Sequence, residues 1–443
     1  MKKLTGPANI QWELTPVCNH DCIHCYNYWR NDEIPLKHPD IDYMAIAKAI
    51  ALINPVHVVL TGGEPLLVFE KMIDAAEYLH SKGIYLSWNT NATLVTSTIA
   101  KQMNHLNASA FVSLPCGDSE TCDRIVNVPG TLDKITAGIE KMLSASVPVA
   151  VNVVVSSYNQ HKLYETAAFA KKIGVEQFCI APASRPFGAD KAFDNMAPSP
   201  NIISILCKEA IHIEKELGLK VSLTGALPGC AYETDDAFQR FAYTKSCTAG
   251  RVSCALDSLG NVKACARDEK FYGNVLDESF ESIWENMAEW RDGSLVPIEC
   301  KECRDLRICR GGCRLEACSV TGKRDVMDTF AKRELLPLPF KKEPTAYHWM
   351  PDQMFKIRSG LRWKHEEFGW RVSLGPRFTY MTDITKEWID THSFFTLEDM
   401  VDKFGKDAEG TLKITITILN NAGIIEEVRN ANICAIIDKH IAR

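Results

Sequence analysis

From residue 9 to about 220, short apolar and β-branched runs alternate with longer stretches whose apolar residues recur at helical spacing. The runs fall at 9–14, 56–61, 84–89, 110–114, 149–155 and 175–181, and helical spacing marks 41–53, 69–81, 131–144 and 161–173 between them. Six strand–helix units in succession predict a parallel sheet with helices outside, because parallel strands need crossovers of that length. Such a sheet is either open and doubly wound or curved into a barrel, and in both forms ligands gather at the carboxyl ends of the strands. Cys18, Cys22 and Cys25 follow the first run and Gly62-Gly63-Glu64-Pro65 the second, so both groups fall at that end.

Residues 221–330 read differently, with short pieces, turn sequences such as Leu259-Gly260-Asn261 and Arg310-Gly311-Gly312, and many cysteines. A segment rich in Leu, Pro and Lys at 335–344 suits a linker, since its prolines oppose helix and central strand. Beyond it, strand-like runs at 369–374 and 377–381 precede helical stretches at 384–391, 397–404 and 408–422. Thr396 suits a helix N-cap, with Asp399 where a capping box would carry Glu or Gln. The boundaries this predicts are 1–220, 221–335 and 345–443, the last a small winged-helix-like α+β domain.

Composition changes the picture at one point. The 443 residues, with 46% hydrophobic and 24% charged, describe a globular protein of two or three domains. No apolar run approaches the 18 residues of a membrane helix, and the start lacks a signal-peptide core, so a cytoplasmic protein is expected. A net charge of −6 offers no global field for a nucleic-acid backbone. The 17 cysteines, odd in number and without a secretory signal, point to metal or redox chemistry rather than a disulfide framework. Cys116, Cys122, Cys179, Cys207, Cys230 and Cys434 are scattered and read as small buried hydrophobes.

The C-x3-C-x2-C run at Cys18, Cys22 and Cys25 bunches three thiolates on one loop. Three can hold three irons of a cubane and leave the fourth open to a substrate or cofactor. A structural zinc is the competing reading, with His20 or His24 as its fourth ligand.

The wider residues, Cys18-Asn19-His20-Asp21-Cys22-Ile23-His24-Cys25-Tyr26 followed by Thr61-Gly62-Gly63-Glu64-Pro65-Leu66, resemble the radical S-adenosylmethionine (SAM) enzymes. The resemblance implies a partial (β/α)6 barrel, and a four-iron cluster whose open iron is chelated by the methionyl amine and carboxylate. It further implies that an electron from the cluster cleaves the sulfonium C–S bond, and that the 5′-deoxyadenosyl radical removes hydrogen from substrate. By the same resemblance Gly62, Gly63 and Glu64 contact the methionyl amine, with the Glu64 carboxylate meeting the ammonium. Tyr26 lies beside the adenine, and Ser113 and Arg124 serve the ribose and carboxylate. Thr90-Asn91-Ala92 departs from the family's Thr-Asn-Gly.

The second cysteine block, Cys247, Cys254, Cys265, Cys300, Cys303, Cys309 and Cys313, resembles the SPASM extension of the same superfamily, which holds two auxiliary iron–sulfur clusters; a zinc ribbon is the alternative. The family's interleaving assigns Cys247, Cys254, Cys265 and Cys313 to the nearer cluster and Cys300, Cys303 and Cys309 to the farther one. Where the family carries a last cysteine, this chain has Ala331 behind Asp328. Cys318, Asp325, Asp328 or an open iron are the candidates for the missing ligand.

The tail from about 354 to 428 resembles, more loosely, the PqqD-like peptide-recognition element. A DNA-binding winged helix has the same composition, but acidic residues there offset the basic ones. Together these resemblances imply a peptide maturase that abstracts hydrogen from a residue of a ribosomally made precursor, held by its leader, and forms a thioether or carbon–carbon crosslink or an oxidative modification. The partners implied are the precursor and an electron donor such as flavodoxin or ferredoxin, with neither membrane nor nucleic acid. The alternatives are a radical enzyme acting on a folded protein or on a small molecule such as a tetrapyrrole, and an iron–sulfur regulator with a DNA-binding tail.

Overall fold

A computed structural model describes residues 3–26, 40–186, 191–199, 201–232, 241, 246–332 and 353–428. The linker expected at 335–344 and Cys434 lie outside the described residues. The chain divides into two compact units, one of Gly6–Phe340 and one that joins Met1–Thr5 to Lys341–Arg443.

The larger unit is built on a ten-stranded sheet. Its strands are β1 (Asn9–Glu13), β2 (His57–Thr61), β3 (Tyr85–Thr90), β4 (Ser109–Ser113), β5 (Val149–Val155), β6 (Gln177–Pro182), β7 (Lys220–Leu223), β8 (Ser253–Leu256), β9 (Asn261–Lys263) and β10 (Phe271–Asn274). The spatial order is β10-β9-β8-β1-β2-β3-β4-β5-β6-β7. Because β1 to β7 stand in chain order and pair in parallel, the order never reverses among them. A doubly wound sheet requires such a reversal, so the winding is the one-directional winding of a barrel.

The sheet does not stop at the boundary expected near 220. Strand β7 extends it on one side, and β8 pairs in parallel with β1 on the other, Cys254 opposite Ile10 and Leu256 opposite Trp12. All four of these side chains are buried, which gives the edge of β1 an apolar partner. Strands β9 and β10 then continue antiparallel.

Alternation along the strands separates two faces. Ile10, Trp12, Val58, Leu60, Leu86, Trp88, Val112, Val151 and Val153 are fully buried on one. Helices such as Tyr43–Ile53, Phe69–Ser81 and Thr131–Ser144 present buried apolar stripes to the same core. On the opposite face Ser113, Asn152, Cys179 and Ser222 stand in register across β4 to β7, with the Cys179 sulfur 3.1 Å from the Ser222 hydroxyl and Thr224 Oγ1 3.3 Å from Asn152 Oδ1. One Asn inside the apolar run of β5 thus belongs to a polar row on the face opposite the buried apolar one.

The smaller unit contains β11 (Met354–Ile357), β12 (Arg362–Glu366), β13 (Gly369–Leu374), β14 (Arg377–Met381), β15 (Phe394–Thr396) and β16 (Ile425–Val428), in two three-stranded sheets ordered β15-β11-β16 and β12-β13-β14. Helices Asp383–Thr391, Leu397–Phe404 and Glu409–Asn421 fall where the periodicity predicts them. Thr396 and Asp399 form a full capping box: Thr396 Oγ1 accepts from Asp399 N at 3.2 Å and Asp399 Oδ2 from Thr396 N at 2.7 Å. Strands β11, β12, β15 and β16 were not foreseen, because at three to five residues they are too short to show a period. Thr5 donates to Glu366 from both N and Oγ1, at 2.8 and 3.0 Å, which ties the first residues into this unit. Among the described residues no helix is long and apolar enough to cross a membrane.

Candidate cofactor site

The segment after β1 continues alongside the segment after β2. Leu14 N donates to Thr61 O, Gly63 N to Thr15 O and Glu64 N to Val17 O, at 2.7–2.8 Å. This contact explains both glycines. A Cβ on Gly62, whose φ is +139°, would lie 2.5 Å from Thr15 O, and one on Gly63 would lie 2.0 Å from Val17 O. The pair therefore lets two backbones meet immediately before Cys18.

Glu64 is 1% exposed. Its carboxylate accepts from Thr90 Oγ1 at 2.6 Å, Asn91 N at 2.8 Å and Leu66 N at 3.1 Å. Burial pushes the carboxyl up to about 7, against the pull of those three donors. These bonds fasten the loop after β2 to the end of β3 through the Glu64 side chain, the carboxylate that the resemblance assigns to the methionyl ammonium.

The cysteine loop is pinned from two further sides. Asn19 accepts from Asn91 Nδ2 at 2.8 Å and donates to Thr93 Oγ1 at 2.9 Å. Asp21 N and Ile23 N donate to the carbonyls of Val126 and Ile125, at 3.1 and 2.9 Å, at the carboxyl end of helix Ser119–Val126. Within the loop, His20 N donates to Cys18 Sγ at 3.4 Å. Burial first, then the neighbouring charges of Cys25 and Cys18, drive the Cys22 thiol far above its ordinary range, so the three sulfurs are near one another and would lose protons on binding metal. Among the described residues no three His, Cys, Asp or Glu side chains converge on a point as a single ion requires. A cubane asks for something else, one thiolate per iron at separate corners. His24, offered as a zinc ligand, has a buried Nδ1 without a partner among the described residues, and burial lowers it to about 4.

Ala92 takes up a left-handed conformation, φ 60°, which accounts for the family's glycine at this place. Ser113 is exposed at the end of β4, and exposed Arg124 lies with its guanidinium 4.1 Å from the centre of the Tyr158 ring. Tyr26 directly follows Cys25 and is 40% exposed, and burial of its phenol oxygen, with Glu13, Cys265 and Cys25, raises the phenol.

That block forms two groups. Cys247, Cys265 and Cys313 influence one another, with burial lifting Cys247 to about 12 and Cys265 to about 11. Arg267 serves this group, its Nη1 3.6 Å from Cys313 Sγ and its Nη2 paired with Glu316 at 2.9 Å. Cys254, assigned with them by resemblance, is packed in the core on β8 at 2% exposure. Cys300, Cys303 and Cys309 form the second group. Cys309 and Cys313 part company because Arg310, Gly311 and Gly312 all have positive φ, 59°, 83° and 83°.

Asp328 and Cys318 take other positions. The Asp328 carboxylate, 3% exposed, accepts from Cys313 N at 2.6 Å and Phe330 N at 2.9 Å, so it is engaged in clamping the Gly312–Cys313 turn. Cys318 stands half-buried on helix Arg314–Thr321. Cys230, read from sequence as a buried hydrophobe, is instead half-buried beside Cys309 and Cys303. Cys116, Cys122, Cys179 and Cys207 are buried as expected.

Residues 12–170, from β1 to helix Leu163–Lys172, match the radical SAM superfamily. The chain carries a radical SAM domain and is an enzyme. A radical SAM domain implies a four-iron cluster and SAM, and the three-thiol loop with its backbone cradle fits that pair. The AdoMet-dependent heme synthase of Methanosarcina barkeri (strain Fusaro / DSM 804) is 27% identical over 338 residues, covering 72% of this chain and 94% of that protein. The mycofactocin maturase MftC of Mycolicibacterium smegmatis is 28% identical over 330 residues, 70% of this chain and 79% of that protein. The solved structure of native anSMEcpe with bound AdoMet has the same fold, with TM-score 0.58 at 20% identity over 73% of this chain and 94% of that one.

Proposed function

We propose that this radical SAM enzyme is a maturase that abstracts hydrogen from a residue of a ribosomally made precursor peptide, leaving a crosslink or an oxidative modification. Cys18, Cys22 and Cys25 would hold the first cluster; the Gly62–Glu64 backbone, Tyr26, Ser113 and Arg124 would take SAM. Together these cofactors supply, when bound, a 5′-deoxyadenosyl radical for hydrogen abstraction. Cys247, Cys254, Cys265 and Cys313 would hold one auxiliary cluster, and Cys300, Cys303 and Cys309 a second. The chain's own part is to orient the peptide over the polar row of Ser113, Asn152, Cys179 and Ser222 and to keep water from it.

The observation that carries this reading is the separate C-terminal unit. Its sheet β12-β13-β14 ends in strands β12 and β14, and an outer strand suits pairing with an extended leader, as a PqqD-like element would use it. Relatives named mycofactocin maturase and PqqA peptide cyclase support a peptide substrate. A reductant of the flavodoxin or ferredoxin type would supply the electron.

A second reading, a tetrapyrrole or other small molecule as substrate, is favoured by the heme synthase relative. That alignment uses 94% of the synthase but only 72% of this chain, so the sequence left over is about the size of the C-terminal unit. Anaerobically reconstituted enzyme should form 5′-deoxyadenosine faster with a small peptide encoded beside its gene, and should change that peptide's mass. Equal 5′-deoxyadenosine with and without peptide, unaffected by deleting residues 345–443, would favour the small-molecule reading.

A further inference from the structure

Cys230 lies on the short turn Gly229–Ala231, which is anchored by buried Gly229, Ala231 and Tyr232. Gly229 N donates to Cys309 Sγ at 3.2 Å. The thiol of Cys230 is acted on by Cys309 and Cys303, and Cys300 in turn by Cys309, Cys230 and Cys303. The Gly229–Cys309 contact thus brings the turn that carries Cys230 against the stretch that carries Cys300, Cys303 and Cys309. The backbone of Lys332 also acts on the Cys230 thiol. Lys332 directly follows Ala331, where the resemblance places the missing cysteine. The segment that would have delivered the fourth thiol therefore arrives at this group without one, and Cys230 stands against it.

We propose that Cys230 is the fourth ligand of the farther auxiliary cluster, closing it with Cys300, Cys303 and Cys309. The proposal rests on the auxiliary-cluster part of the reading above. It assigns the Gly229 N–H as a donor to a sulfur of that cluster, where such bonds tune its potential. It also makes the cluster fully thiolate-held, so this site carries electrons rather than binding a substrate thiolate at an open iron. Asp328 is left to the clamping role already described.

The test uses the full chain, reconstituted anaerobically with iron and sulfide, and reads metal content and low-temperature electron resonance rather than turnover. Wild type should hold about twelve irons, the content of three cubanes. Cys230→Ser should lose up to about a third of the iron, and should alter the same resonance that Cys300→Ala with Cys303→Ala removes. Cys318→Ser should leave both readouts unchanged. Wild-type iron and spectrum in Cys230→Ser would overturn the assignment and leave the proposed function standing. About four irons in wild type, all lost when Cys18, Cys22 and Cys25 are replaced, would overturn the auxiliary-cluster reading and this inference with it.

Because Cys230→Ser could misfold, alkylation of the unmutated chain gives an independent answer. Cys230 should be protected together with Cys300, Cys303 and Cys309, and should become reactive with them when iron is chelated. Labelling of Cys230 that is the same with and without iron would overturn the proposal.

Discussion

Glu64 accepts a 2.6 Å hydrogen bond from the Thr90 hydroxyl, and that hydroxyl accepts in turn from Ala92 N at 3.0 Å. All three neighbours of the carboxylate are donors, so a neutral amide in its place must turn an N–H₂ toward one of them. Glu64→Gln should destabilise the apo chain by about 1–3 kcal/mol in urea unfolding, and Thr90→Val by about 1 kcal/mol. Both should also reduce iron retained by the first cysteine loop, since Asn91 carries Asn19. Unchanged iron loading in Glu64→Gln would contradict the fastening role.

Helix Thr131–Ser144 approaches the Ala92 turn so closely that a Cβ on Gly138 would lie 2.1 Å from Ala92 O. Neither partner is the far end of a flexible side chain. Gly138→Ala should therefore cost about 1–3 kcal/mol despite the better helix propensity of alanine. Gly410→Ala, in open space on helix Glu409–Asn421, is the matched control and should be neutral or slightly stabilising.

The parts of the site legible in the sequence are those written in one short stretch. Cys18, Cys22 and Cys25 share a loop, Gly62-Gly63-Glu64 is contiguous, and the strand periodicity locates the end of the sheet where both sit. What escaped notice is joined across long separations. Asn19 meets Asn91, β8 meets β1, and Cys230 meets Cys309, and none of these pairs leaves a spacing signal. Glu64 shows the related limit: its residue type suggests an ionic contact, but whether the carboxylate faces a ligand or the strand behind it is decided by packing. In the C-terminal unit the helices, with a wide apolar stripe, were legible, while strands of three to five residues were not.

Asp118 caps helix Ser119–Val126 through Thr121 N at 3.1 Å and pairs with Lys162 at 2.6 Å. Partial burial opposes its ionisation, but the Lys162 ammonium and the cap donors outweigh it and hold the carboxyl well below the usual range. A carboxyl lower in the folded than the unfolded state stabilises above its unfolded value, near 4, and loses that contribution as pH falls through the folded one. Asp118→Asn keeps a capping oxygen and removes the charge. The stability gap between wild type and Asp118→Asn should be level from about pH 7 to 5 and shrink below about pH 4. Asp118→Ala should lose about 1 kcal/mol more, for the cap.

Metal removal should be felt unevenly. The region 246–332 has few long elements, and under the proposed reading its seven cluster thiolates supply much of its order. Chelation of iron should raise hydrogen exchange across β9, β10 and the Cys300–Cys313 turn while β2 to β5 keep their protection. Equal loss in both regions would mean that the sheet and the cysteine block unfold as one.

Lys263 is 0% exposed and its Nζ lies 2.7 Å from Glu13 Oε2 and 3.1 Å from Ala266 O. Glu13 ends β1 and Lys263 ends β9, so the pair ties the strand that leads to Cys18 to the turn that carries Cys265. Burial raises the Glu13 carboxyl, and the Lys263 ammonium beside it pulls the other way. Removing one partner strands a buried charge, whereas removing both leaves two apolar side chains in a dry place. Lys263→Met alone should cost about 3–5 kcal/mol, and the Glu13→Leu, Lys263→Met pair should recover most of it. Recovery of stability without recovery of iron at the cluster proposed for Cys265 would show that the pair positions the thiol as well as the strand. A double variant no more stable than Lys263→Met would mean that the Ala266 carbonyl, left without its donor, is the larger loss.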